Sequence, residues 1–101
     1  MSHHRKSYTV PEAISKMEGY CSYQERCHKD VRQKLDEMRM IPEARDRIVA
    51  HLIKEGYLNE ERFAIAFARG KHRIKKWGRV RIISELRYRD ISRFNITPAS
   101  E

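Results

Sequence analysis

Cysteine is nearly absent from the chain: 101 residues include two, Cys21 and Cys27. Two are too few for a disulfide scaffold, and both fall in or beside helical sequence, so the reducing cytosol is the expected compartment. Long apolar runs are missing as well. No stretch reaches the roughly 18 apolar residues of a membrane span, and the first ten residues are polar, which excludes transmembrane, secreted and lipid-anchored readings and implies a cytoplasmic protein with no membrane partner. The four glycines stand singly, so there is no glycine-rich phosphate loop, and neither a nucleophile elbow nor a Ser/His/Asp set has recognisable spacing. Cys21, Cys27 and His28 lack a second pair of ligands at zinc-site spacing, and His3 and His4 lie in a polar tail. No catalytic residue, cofactor or metal is expected, and the chain reads as a non-enzyme.

Acid is scarce in one place only. Residues 69–89 hold nine Lys or Arg against the single acid Glu85, a net +8, while the other 80 residues balance 13 basic against 13 acidic side chains. The whole-chain excess of +8 and the pI near 9.8 therefore come from one fifth of the sequence. A footprint this local points to a polyanionic partner. With 40% apolar residues the chain still has enough for a core, which argues against disorder.

Apolar residues recur at helical spacing throughout, and no alternating strand pattern of useful length occurs, so the fold class is all-α. Residues 1–10 read as a disordered tail. Pro11 opens helix 1, whose stripe of Ala13, Ile14, Met17, Tyr20 and Cys21 runs to about Gln24. Helix 2 starts near His28 and carries Val31, Leu35 and Met38; Ser22-x-x-Glu25 offers a competing capping-box start. Helix 3 opens at Pro42, and Gly56 stands where a left-handed cap ends it. Asn59 caps helix 4, whose face is Phe63, Phe67, Gly70, Ile74 and Trp77, with Phe67 at its centre. Gly78 breaks it, and helix 5 spans about Arg79 to Arg89 around Ile82 and Leu86. Thr97-Pro98 is expected to cap and open a sixth helix, cut short at Glu101.

Sliding the sequence by 51 residues aligns Ala13 with Ala64, Ile14 with Ile65, Gly19 with Gly70, Val31 with Ile82, Leu35 with Leu86 and Met40 with Ile91. The repeat places a break at Glu25–Cys27, opposite Trp77-Gly78, and so favours His28 over Ser22 as the start of helix 2. Tandem three-helix repeats follow, residues 11–56 and 57–101, the second with its third helix truncated.

The segment Glu55-Gly56-Tyr57-Leu58-Asn59-Glu60-Glu61-Arg62-Phe63-Ala64 resembles the E-G-Y-L-[DN]-[DE]-E-R-F-A run of the RecX family of bacterial RecA regulators. Trp77-Gly78, Ile82, Glu85-Leu86 and Ile91-Ser92 are similar to its G-x-x-x-I-x-x-E-L signature, and the resemblance covers about residues 12–92. Arg79 stands where proline is frequent in that family and Asp90 where glycine is common, and Arg93 to Ile96 read as extra residues before the last helix. The resemblance implies tandem three-helix repeats, no catalysis, and a monomeric regulator that binds the RecA filament on single-stranded DNA and inhibits RecA in recombination, repair and the SOS response. Since that family has about three repeats, the chain is expected to be a piece of a longer protein. The alternative is a small basic helical nucleic-acid-binding module or a helix-turn-helix regulator with helix 5 as its recognition helix.

The candidate contacts to nucleic acid or RecA are Arg69, Lys71, Arg73, Lys75, Lys76, Arg79, Arg81, Arg87, Tyr88 and Arg89. Basic residues interleaved with aromatics suit single strands, whose phosphates need cations and whose bases need stacking surfaces. Trp77 continues the helix 4 stripe, which favours core packing; Tyr88 lies well away from Ile82 and Leu86 on a helical wheel and faces solvent. Tyr57, beside a helix cap, is better explained by closing the core than by stacking bases.

Overall fold

The computed structural model describes residues 7–100. Six helices occur among them, and no strand: α1 (Val10–Tyr23), α2 (His28–Glu37), α3 (Pro42–Lys54), α4 (Glu60–Lys75), α5 (Arg79–Tyr88) and α6 (Arg93–Ala99). None is long and apolar enough to cross a membrane. Most of the expected tail lies outside the described residues, but its last residue, Val10, opens α1. Thr9 is the N-cap: its hydroxyl accepts from the Glu12 amide at 3.2 Å, and the Glu12 carboxylate accepts from the Thr9 amide at 2.9 Å. This reciprocal pair satisfies two amides that a helix start leaves without partners. The rival box at Ser22 does not form, because Ser22 donates to the Glu18 carbonyl within α1.

The 51-residue repeat holds at the level of helix ends. α5 is α2 displaced by 51 residues at both termini, and α6 starts 51 residues after α3. Arg39 and Asp90, also 51 apart, both take left-handed backbone at φ 63° and 61°. Glycine adopts that conformation most cheaply, so Arg39 and Asp90 each carry a modest backbone cost at these turns. Arg79 is the first residue of α5, in the turn where proline costs no helical hydrogen bond.

Each unit has its own core. Ala13, Met17, Cys21, Val31, Leu35, Ile48 and Leu52 fill the first; Phe63, Ala64, Ala68, Ile82, Leu86, Ile91 and Ile96 fill the second, together with Cys27 from the α1–α2 loop. Burial pushes the Cys27 thiol up to about 11. The two cysteines are free and sit in different cores. Two stacked units give an elongated body of 47 × 32 × 20 Å.

Two expectations about the second unit fail. The third helix opens at Arg93 with Ser92 as N-cap, not at Thr97, and Pro98 lies inside it. The residues read as extra are its first turn. Their helical placement buries Ile96 and lets the Ser92 amide and the Asn95 side chain donate to Glu60 Oε2 at 3.1 and 2.8 Å. Those gains outweigh the one bond that Pro98 cannot donate near the end of the helix. The apolar face of α4 is also rotated from the expected stripe. Phe63, Ala64 and Ala68 are buried, Phe67 is only half-buried and Ile74 is 76% exposed. Small side chains at Ala64 and Ala68 suit the close approach of α6, α4's most extensive helix contact. The helix then stops at Lys75, where Lys76 turns left-handed at φ 60°, so Trp77 leaves the helix instead of extending its stripe.

Candidate nucleic-acid interface

The run from Glu55 to Ala64 is a structural clasp. Gly56, at φ 81°, turns the chain out of α3, and Asn59 caps α4 by accepting from the Arg62 amide at 2.8 Å. Arg62 then reaches back: Nη2 donates to the Gly56 and Tyr57 carbonyls at 2.8 and 3.3 Å, and Nε donates to Glu25 Oε2 at 2.6 Å. Tyr57 is half-buried and packs against the first core.

The basic residues of α4 and α5 separate onto two faces. On one, Arg69, His72 and Arg73 lie three and four residues apart on α4, and with Lys76 they line a shallow concavity of about 450 Å³. Arg79 joins Arg69 and His72 at the rim of an adjoining groove of about 420 Å³, floored by Ile65, Ala68, Ile82 and Ala99. No acid lines either hollow. His72 is held by its Nδ1 donating to the Trp77 carbonyl at 3.2 Å.

On the other face the cations are already engaged. Phe67 and Trp77 meet edge to face with centroids 6.2 Å apart. Lys71 stands 5.5 Å from the Phe67 centroid and 5.1 Å from that of Trp77, Arg81 is 4.0 Å from Trp77, and Arg89 is 4.7 Å from Phe67. Arg89 Nη1 also donates to Glu85 Oε1 at 2.8 Å and to the Glu85 carbonyl at 2.9 Å. That bond holds the Glu85 carboxyl below its ordinary range, so the one acid of the basic segment is ionised and locally committed. Lys71 and Arg89 further share a cleft with Glu25 and Asp30 of the first unit. Cations over rings contribute about 0.5 to 1 kcal/mol each at exposed sites, so this face stabilises the fold while the Arg69 face keeps its charge free. Trp77 is half-buried against the second core, as its place beside the stripe requires.

Lys75 and Arg87 are exposed and stand outside both groups. Tyr88 is 70% exposed. Its partner is a residue that balanced charge counts hide: Lys29 of the first unit lies 4.3 Å from the Tyr88 centroid and donates to the Tyr88 carbonyl at 2.9 Å. Among the described residues no three His, Cys, Asp or Glu side chains converge as metal ligands would.

Residues 59–99 match the sequence model of a family described as RecX, second three-helix domain. A crystal structure of regulatory protein RecX superposes with a TM-score of 0.82 at 27% identity, covering 89% of this chain and 44% of that one. The chain therefore spans less than half the length of that relative. No curated protein sequence matches it significantly. Residues 59–99 are thus similar to the second three-helix domain of RecX, and the two units together share the fold of that regulatory protein.

Proposed function

We propose that this chain acts as a regulator of RecA, docking on the RecA filament assembled on single-stranded DNA and lowering its activity. The observation that carries the reading is the RecX-type pair of three-helix units joined to a face where Arg69, His72, Arg73, Lys76 and Arg79 meet no acid. A filament of protein and single-stranded DNA is polyanionic along its groove, and an elongated basic body suits it. The cluster offers point charges and guanidinium forks to phosphate and has no base-edge reader, so it positions without selecting sequence. Lys75 and Arg87 extend the positive field; Lys71, Arg81 and Arg89 support the face from behind through the aromatic pair. The second reading is a helix-turn-helix regulator, in which α5, with Ile82 and Leu86 in the core and Arg79, Arg81 and Arg87 exposed, would be the recognition helix.

Co-sedimentation distinguishes the two. The chain should pellet with RecA on single-stranded DNA in the presence of a slowly hydrolysed ATP analogue, and should not select one duplex over others. Failure to pellet with the filament, together with tight binding of a defined duplex, would support the transcription reading instead.

A further inference from the structure

The first unit is electrically neutral, yet its cations and rings are not scattered. Arg26, in the loop after α1, lies with Cζ 3.7 Å from the Tyr20 centroid and 5.9 Å from that of Tyr23. Its Nε donates to the Tyr20 carbonyl at 3.0 Å, which fixes the guanidinium in place. Three residues on, Lys29 lies under Tyr88 of the second unit, 4.3 Å from its centroid. Tyr23 and Tyr88 are 83% and 70% exposed, so each ring has a cation near one face and leaves the rest open to water. The two acids of this stretch are turned to other partners: Glu25 binds Arg62, and Asp30 accepts from the Cys27 amide.

We infer that Tyr23, Arg26, Lys29 and Tyr88 form a stacking strip for single-stranded nucleic acid that crosses the junction of the two units. Open rings beside fixed cations are the arrangement that holds unpaired bases: the rings take the π-faces, and the N–H donors that Arg26 and Lys29 do not spend on the Tyr20 and Tyr88 carbonyls take the intervening phosphates. A duplex cannot use it, because its bases are already stacked on one another. Arg26 and Lys29 are three residues apart, so their backbones lie within about 10 Å of each other, a span that a few nucleotides cover. The strip rests on the nucleic-acid contact proposed above, but it adds base stacking from the neutral unit to phosphate contact from the basic one.

The test compares end-labelled dT20 with a 20-mer of abasic sugar-phosphate, which keeps the charge and removes the bases. The intact chain should bind dT20 more tightly, and Tyr23→Leu and Tyr88→Leu should each cost about fivefold or more in dT20 affinity while leaving abasic binding and the salt dependence unchanged. Both positions are exposed, so the variants should keep the helical circular dichroism of the parent. Equal affinity of the intact chain for the two strands would overturn the strip and leave phosphate contact standing. No binding of either strand would overturn both.

Discussion

Arg62 and Glu25 join the two units, Nε to Oε2 at 2.6 Å, and the same guanidinium holds the carbonyls of Gly56 and Tyr57. No helix of the first unit packs extensively on one of the second, so this clasp, the Lys29 bond to the Tyr88 carbonyl and the burial of Cys27 set how the units sit. Charged hydrogen bonds of this kind contribute about 1.5 to 3 kcal/mol when sheltered, and Arg62 is 46% exposed. Arg62→Ala should therefore destabilise the chain by about 1 to 2 kcal/mol in urea denaturation, with Arg62→Lys recovering only part, since one ammonium nitrogen cannot stand in for both Nε and Nη2 of the planar guanidinium. A loss below a few tenths would show that the clasp does not hold the units.

Core substitutions should rank by observed burial and not by the stripe. Leu86→Ala, at a fully buried site, should cost about 2 to 5 kcal/mol. Phe67→Ala should fall below the roughly 3 to 5 kcal/mol of a fully buried Phe, near 2, because half of its ring faces Lys71, Arg89 and solvent. A larger loss at Phe67 than at Leu86 in paired urea titrations would mean that the α4 face is wrongly placed.

Acid should loosen α6. Burial raises the Glu60 pKa, but the bonds from Asn95 and Ser92 outweigh it, leaving the net shift downward from 4.5. A carboxyl depressed on folding contributes stability that is present above its unfolded value and lost as pH falls through the folded one. The stability gap between the parent and Glu60→Gln should thus be full at pH 7 and close below about pH 4.5. A gap that stays constant from pH 7 to pH 3 would contradict that role.

Much of this was legible beforehand because helix positions follow from spacing. Asn59 before Glu60-Glu61, Pro42 and Gly56 mark helix ends by local chemistry, and the 51-residue repeat placed α2 where a capping motif argued otherwise. The same repeat pairs Arg93 with Pro42, the first residue of α3, and so contains the true start of α6; Thr97-Pro98 misled because Pro98 looks like an opening residue when Ile96's burial is unknown. The end of α4 was hidden for a different reason. Lys76 adopts left-handed backbone without being glycine, so nothing in the apolar pattern separates Trp77 from the helix. Nor could charge counting separate the free cations at Arg69 and Arg73 from Lys71, Arg81 and Arg89, whose partners Phe67 and Trp77 are set by the fold.

Reversing the free face alone gives a clean electrostatic test. Arg69→Glu, Arg73→Glu and Lys76→Glu together should weaken single-stranded DNA binding and lower the log–log salt slope by about 2, at roughly 0.7 for each phosphate contact. The same reversal at Lys71, Arg81 and Arg89 should chiefly lower the unfolding midpoint. If the first triple changed neither affinity nor slope, the concavity would be a solvated surface only.

The most direct test of RecA regulation is ATP hydrolysis by RecA already assembled on single-stranded DNA. Added at concentrations well below that of the DNA nucleotides, the chain should lower the hydrolysis rate in proportion to its occupancy of the filament, the Arg69, Arg73 and Lys76 reversal should abolish the effect at matched salt, and an unrelated basic protein should not reproduce it. Equal inhibition by the unrelated protein, or an undiminished rate with the chain bound to the filament, would contradict the account.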